Sequence, residues 1–163
     1  MRTSLFSLIF FSIFISNLLP AQNLYDWNSA GKYYGKDNTG DGSNLYSWSG
    51  NGLFYTKMNT EKGVNIHDWS GKGVYYTRPN TDQGVNIYNW DGEGVLYTKA
   101  NTEGGENIYS WSGAGLYYSK INSDGGINIY QWDGAGVYYT IPNANGNEGV
   151  NVLFYLIGLG AIN

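Results

Sequence analysis

The chain contains no cysteine, a single histidine and only three prolines among its 163 residues. Without cysteine there can be no disulfide framework and no thiolate nucleophile or thiolate metal ligand, so the fold must be held by packing and hydrogen bonds. The lone histidine, His67, leaves little room for imidazole-based catalysis or metal binding. Charge is also sparse. Nine Lys and Arg stand against thirteen Asp and Glu, and the basic residues do not cluster, so nucleic acid is not an expected partner. No Asn-x-Ser/Thr sequon occurs despite many asparagines. Beyond residue 22 no apolar period of 3.6 residues appears, which argues against helices.

What the chain has instead is a 21-residue unit, read most cleanly as NIYNWDGEGVLYTKANTEGGE from Asn86 to Glu106. Copies begin at Asn23, Asn44, Asn65, Asn86, Asn107 and Asn128, and a truncated one at Asn151. Numbering places within the unit, the second is always aliphatic, the fifth always tryptophan, the ninth always glycine, the twelfth always tyrosine and the sixteenth always asparagine. The third is tyrosine except at His67. Such a period fixes the architecture before any other reading.

Each unit reads as two short strands and two turns. Val85–Trp90 and Val95–Lys99 have the aliphatic, β-branched and aromatic content of strands. Asp91–Gly94 and Asn101–Gly105 supply turn residues, with glycines free to take positive φ. Pro79 and Pro142 fall just before the turn asparagine, where a missing ladder donor does least harm. The expected fold is all-β: tandem hairpins in an extended or curled antiparallel sheet. A β-solenoid is the alternative, in which Asn38 to Asn143 would stack as a ladder, and a closed barrel is a third arrangement. In spacing and composition the pattern resembles the hairpin repeats of MORN proteins and choline-binding modules. The MORN signature YxGxW is absent, and the resemblance implies no functional residue.

Residues 1–21 differ in kind. Arg2, an apolar run from Leu5 to Leu19 and Leu19-Pro20-Ala21 make a secretory signal peptide with cleavage after Ala21. Its apolar core is shorter than the ~20 residues of a spanning helix. Cleavage would leave 163 minus 21, or 142 residues, as a single domain over 22–163, with eight basic and thirteen acidic residues and a net charge of −5. The first unit is irregular, with Ser29, Lys32 and Gly35 at places usually held by glycine, Val/Leu and threonine. That suits a terminal repeat whose outer face meets water. The last segment, 150–163, is apolar and is expected to cap the array as a closing strand.

No catalytic residue, metal site or cofactor is expected. His67 reads as a substituted aromatic, and the acids lie mainly in turns. The loop Asp37–Gly42 has part of a calcium-loop pattern, but Thr39 and Trp48 stand where ligands are wanted. The aromatic residues, 17% of the chain, carry the signal because they fall at fixed places. They are either the core or a surface. If the aliphatics form the core, alternation along Asn86–Trp90 leaves Tyr88 and Trp90 together on the outside. Trp27, Trp48, Trp69, Trp90, Trp111 and Trp132, with Tyr25, Tyr46, Tyr88, Tyr109 and Tyr130, would then line a repeated ligand-binding platform. The hydroxyls at the thirteenth place, Thr56, Thr77, Thr98, Ser119 and Thr140, suggest an ice-binding row if they are exposed.

The function expected from these residues is that of a secreted or cell-surface, non-enzymatic protein binding an extracellular polymer such as carbohydrate. A structural matrix or wall protein, with possible self-association, is the alternative, and ice binding a third. Stable membrane insertion after signal cleavage is not expected.

Overall fold

The computed structural model describes residues 22–142. Each unit contributes a five-residue strand and a seven-residue strand. The short ones are β1 (Gln22–Asp26), β3 (Ser43–Ser47), β5 (Val64–Asp68), β7 (Val85–Asn89), β9 (Glu106–Ser110) and β11 (Ile127–Gln131). The long ones are β2 (Gly31–Asp37), β4 (Gly52–Met58), β6 (Gly73–Pro79), β8 (Gly94–Ala100), β10 (Gly115–Ile121) and β12 (Gly136–Pro142). All neighbours in sequence pair antiparallel, and β1 pairs with β12, so the twelve strands form a closed barrel. The sheet is therefore neither the open hairpin array nor the solenoid expected from sequence. At the seam Leu24 lies opposite Thr140 and Tyr25 opposite Tyr139. The same second-place and thirteenth-place residues face each other at Thr98↔Ile108. Closure thus repeats the contact that joins any two units, and no strand edge is left bare.

The short turns explain the glycine spacing in two different ways. In the fourth unit, Asn89 N–H bonds the carbonyl of Glu93 at 2.9 Å and Gly92 N–H bonds that of Asn89 at 3.0 Å. The seventh-place residue takes the left-handed conformation, at φ 91° for Gly92 and 65° for Ser29 in the first unit. A register shift follows at each such hairpin, as between Ile87 and Tyr88, so the turn ends in a bulge. Tryptophan is the first residue of this turn rather than the last of the strand, one place short of the expected β-segment.

Side chains alternate across the wall. Leu24, Leu45, Ile66, Ile87, Ile108 and Ile129 point inward and are 0–3% exposed. Phe54 and Leu96 join them, with Tyr33, Tyr75, Tyr117 and Tyr138 packed alongside. Burial raises the Tyr138 phenol above its ordinary pKa, chiefly because its charged form would lose water. The hydroxyl row is inside as well: Thr56, Thr98, Ser119 and Thr140 are fully buried and Thr77 nearly so. Ice could not reach it, which removes the motive for an ice-binding row. Each hydroxyl accepts a backbone N–H from the strand before it, Val64 to Thr77 Oγ1 at 2.9 Å and Val85 to Thr98 Oγ1 at 2.9 Å. Thr77→Val keeps the shape but strands the Val64 N–H. The expected loss is ~1–3 kcal/mol of stability, measured by denaturant titration, since an unpaired buried donor forfeits its desolvation cost.

At the other end the sixteenth-place asparagine builds the loop. Asn80 Oδ1 accepts the N–H groups of Asp82 and Gly84, both at 3.0 Å, and its Nδ2 donates to the Thr98 carbonyl of the next unit at 2.8 Å. Asn38, Asn59, Asn101 and Asn122 repeat this. The asparagines therefore staple unit to unit through a carbonyl instead of stacking on one another; Asn143 lies outside the described residues. Asn38 uses its loop in the same way, accepting from Gly40 and Gly42, which is what the polar Asp37–Gly42 segment is for.

The first unit is not an exposed terminus, because β1 is paired on both sides. Its Lys32 is instead matched by Asp26, 3.1 Å away across the turn. The Asp26 carboxyl is held below its usual range, first by the Ala30 backbone N–H and then by Lys32. The signal peptide and the closing strand over 150–163 lie outside the described residues.

Candidate functional site

With the aliphatics inside, the third, fifth and twelfth places project from the outer wall. All six tryptophans are exposed to nearly the same degree, 46–49%. That identity across six copies means one local geometry repeated around the ring.

The geometry starts from the backbone. Trp90 N–H bonds the Val74 carbonyl of the preceding unit at 3.1 Å, which swings the indole back over that unit. There it lies on Gly73: a Cβ built on Gly73 would sit 2.3 Å from Trp90 Cε2. The ninth-place glycine is thus kept for lack of a side chain, not for positive φ. The same pairing joins Trp48 to Gly31, Trp69 to Gly52, Trp111 to Gly94 and Trp132 to Gly115. At the seam Trp27 covers Gly136, so the ring of indoles is closed.

Around each indole stand two rings of the preceding unit. Trp111 meets Tyr88 at 5.3 Å in a tilted contact and Tyr97 at 6.4 Å edge-on. Tyr97 in turn stacks on Tyr109 of the next unit, with centroids 5.0 Å apart and planes 14° from parallel. Repeated six times, these contacts make a continuous aromatic belt that crosses the seam through Tyr25 and Tyr139. Tilted and offset pairs of this kind are the arrangements that ring quadrupoles favour. His67 keeps the geometry, stacked on Tyr55 at 5.0 Å and met by Trp90 at 5.4 Å.

Every residue expected in the platform is on this surface. The pairing differs from expectation in one respect: Tyr88 partners Trp111, not its own Trp90, so each aromatic group is shared between units. Two sets were missed. The twelfth-place tyrosines Tyr34, Tyr55, Tyr76, Tyr97, Tyr118 and Tyr139 are full members of the belt. Their invariance within the chain was the available signal. The other set is basic. Lys36, Lys57, Arg78, Lys99 and Lys120, at the fourteenth place, lie 5.3–5.7 Å over twelfth-place tyrosines. Cations at that range are attracted by the ring face. Ile141 takes this place in the seam unit.

Three of these cations also reach an acid in the loop before them. Lys99 pairs with Asp82 at 3.1 Å, Lys120 with Glu103 at 2.6 Å, and Arg78 with Glu61. Each partner raises its cation's pKa, the hydrogen bond to the carboxylate contributing most. Beside the Tyr118 ring, Asn101, Thr102, Glu103, Asn107 and Lys120 line a shallow depression of about 230 Å³. Each unit boundary therefore carries one stripe along the strands: an indole, a stacked ring pair and, at all but the seam, where Ile141 stands instead, a cation.

No protein-family model matches the chain, and no curated protein is similar to it. The fold and the belt therefore stand on the residues alone.

Proposed function

We propose that this chain is a secreted, non-enzymatic protein that binds an extracellular carbohydrate polymer through its aromatic belt. The observation that carries the reading is the ring of half-exposed indoles, each laid flat over a glycine on the outer wall. An indole in this position keeps one face free. Flat apolar faces of that kind match the C–H faces of equatorially linked sugar rings, and Asn, Glu and Lys beside the rings can take the hydroxyls. Large aromatics left on a surface in rows are otherwise costly in solubility and usually mark a binding site. The inward aliphatics and outward asparagine, tyrosine and lysine are the reverse of a lipid-facing barrel, which supports a life in water rather than membrane insertion.

A single stacked ring is worth ~1–3 kcal/mol by analogy with bases stacked on aromatic side chains. Glucose should therefore bind too weakly to detect, while a long soluble β-1,4-glucan should be retained in affinity electrophoresis. Trp90→Ala should weaken retention modestly and leave the barrel folded. Absence of retention across β-linked and α-linked polymers would sink the reading. A structural matrix protein is the second reading, favoured by the five surface tyrosine stacks with centroids 5.0–5.2 Å apart. Dityrosine or insolubility in native material, with no glycan bound, would support it, and self-association would follow from it.

A further inference from the structure

Closure of the barrel changes what a repeated site can do. On an open sheet, six equal sites lie in one plane and a single chain can run across them all. On a closed ring of twelve strands they face outward in six directions, each roughly one-sixth of a turn from the next. Strand spacing and tilt put the wall on the order of 12 Å from the axis, and neighbouring indoles, one-sixth of a turn apart, are then about 12 Å or more from each other, since that chord equals the radius. A stiff chain laid across the wall can touch two adjacent indoles. The third then falls away behind the curvature by roughly 10 Å on that circle. A chain laid along the strands meets one stripe only.

Five of the six stripes are nevertheless complete, and the seam stripe keeps its indole and ring pair with Ile141 in place of the cation. The one at the boundary of the fifth and sixth units runs from Trp132 through the Tyr118–Tyr130 stack, 5.1 Å between centroids, to Lys120 and Glu103. It needs nothing from the stripe on the far wall. Resting on the carbohydrate-binding reading above, we infer that the protein is a multivalent cross-linker, holding several separate polysaccharide chains at once around its circumference. The ligand class is a stiff, equatorially linked glucan, because a stiff chain is the one that cannot bend to follow the belt. The six equal exposures of the indoles point the same way. A protein built to follow one chain would concentrate its rings on one side, and here Trp27 and Trp90, three units apart, are 47% and 48% exposed.

A sandwich assay with the full chain tests this. The protein is loaded onto microcrystalline cellulose and washed, and a fluorescein-labelled soluble β-1,4-glucan ether is added. In parallel, the soluble β-1,4 hexaose is titrated calorimetrically, with the protein's mass taken by light scattering. The expected result is capture of labelled glucan several-fold above bare cellulose, with more than two hexaose molecules per protein chain. Retention of protein on cellulose without capture of label would overturn cross-linking and leave glycan binding intact. One hexaose per chain would do the same even if label is captured, since bridging would then come from self-association, which the mass would show. Failure of the protein to bind cellulose, the ether and the hexaose would overturn both readings together.

Discussion

Deletion of residues 86–106 is expected to cost the protein its closed fold and make it aggregate. The unit is the repeat itself, so every local contact can be re-formed by joining the third unit to the fifth. In an open array that would suffice, because each unit rests only on its neighbours. The barrel adds a condition that no unit meets alone: β12 must return to β1 in register, with Leu24 opposite Thr140 and Tyr25 opposite Tyr139. Ten strands impose a narrower circle, since diameter follows strand number. The inward side chains at the second and eleventh places, sized for the wider circle, would then collide. Overpacking of a core costs ~1–3 kcal/mol per site, and here it would recur around the ring. If the ten strands instead keep their curvature, the gap exposes two strand edges, which recruit other chains. Size-exclusion chromatography and denaturant titration of the deletion variant decide the matter. A soluble protein with one sharp unfolding transition would mean that closure is not what holds the fold.

The hairpin unit and the alternation that sets Tyr88 and Trp90 on one side of a strand were legible from the repeat, but whether that side was core or surface was not, because rings of this size can fill either. Closure was not, because the contacts at the seam are the same as those between any two units, so a repeat contains no local mark of where it ends. One residue did carry a hint. Ile141 stands where five other units have lysine or arginine, and on a true edge strand a charge would be the expected guard. In the barrel it faces Asn23 across the seam. The face of the long strand was also ambiguous, since the eleventh and twelfth places are both bulky. Only the pairing, with Thr98 against Ile108 and Tyr97 against Tyr109, puts the hydroxyl inside and the invariant tyrosine outside. The sharing of aromatics between units was hidden for a related reason. It depends on which strand follows which in space, and the Trp111 N–H bonded to the Val95 carbonyl at 3.0 Å is a fact of pairing.

The two glycines of the short turn should respond to substitution in opposite ways once the tryptophan is removed. Gly94→Ala alone places a methyl where Trp111 lies, 2.1 Å from Cε2 and 2.2 Å from Cδ2. The indole must lift, losing its contacts with Tyr88 and Tyr97. The expected cost is ~1–3 kcal/mol, as for other overpacked sites, with a red shift of tryptophan emission. Gly94 itself does not have positive φ, and the three atoms nearest an added Cβ all belong to the indole. In a Trp111→Ala background the same change should therefore be neutral or stabilise by ~0.4–1 kcal/mol, by narrowing the freedom of the unfolded chain. Gly92 is the control. Its φ of 91° strains any L-residue, and the nearest atom to an added Cβ is the Tyr76 hydroxyl at 3.7 Å, an ordinary contact. Gly92→Ala should cost ~1 kcal/mol or more with or without Trp111. Denaturant titrations of the five variants give the coupling directly. A Gly94→Ala penalty that persists after the indole is gone would show that the ninth-place glycine serves the backbone, and that the indole is not seated on it.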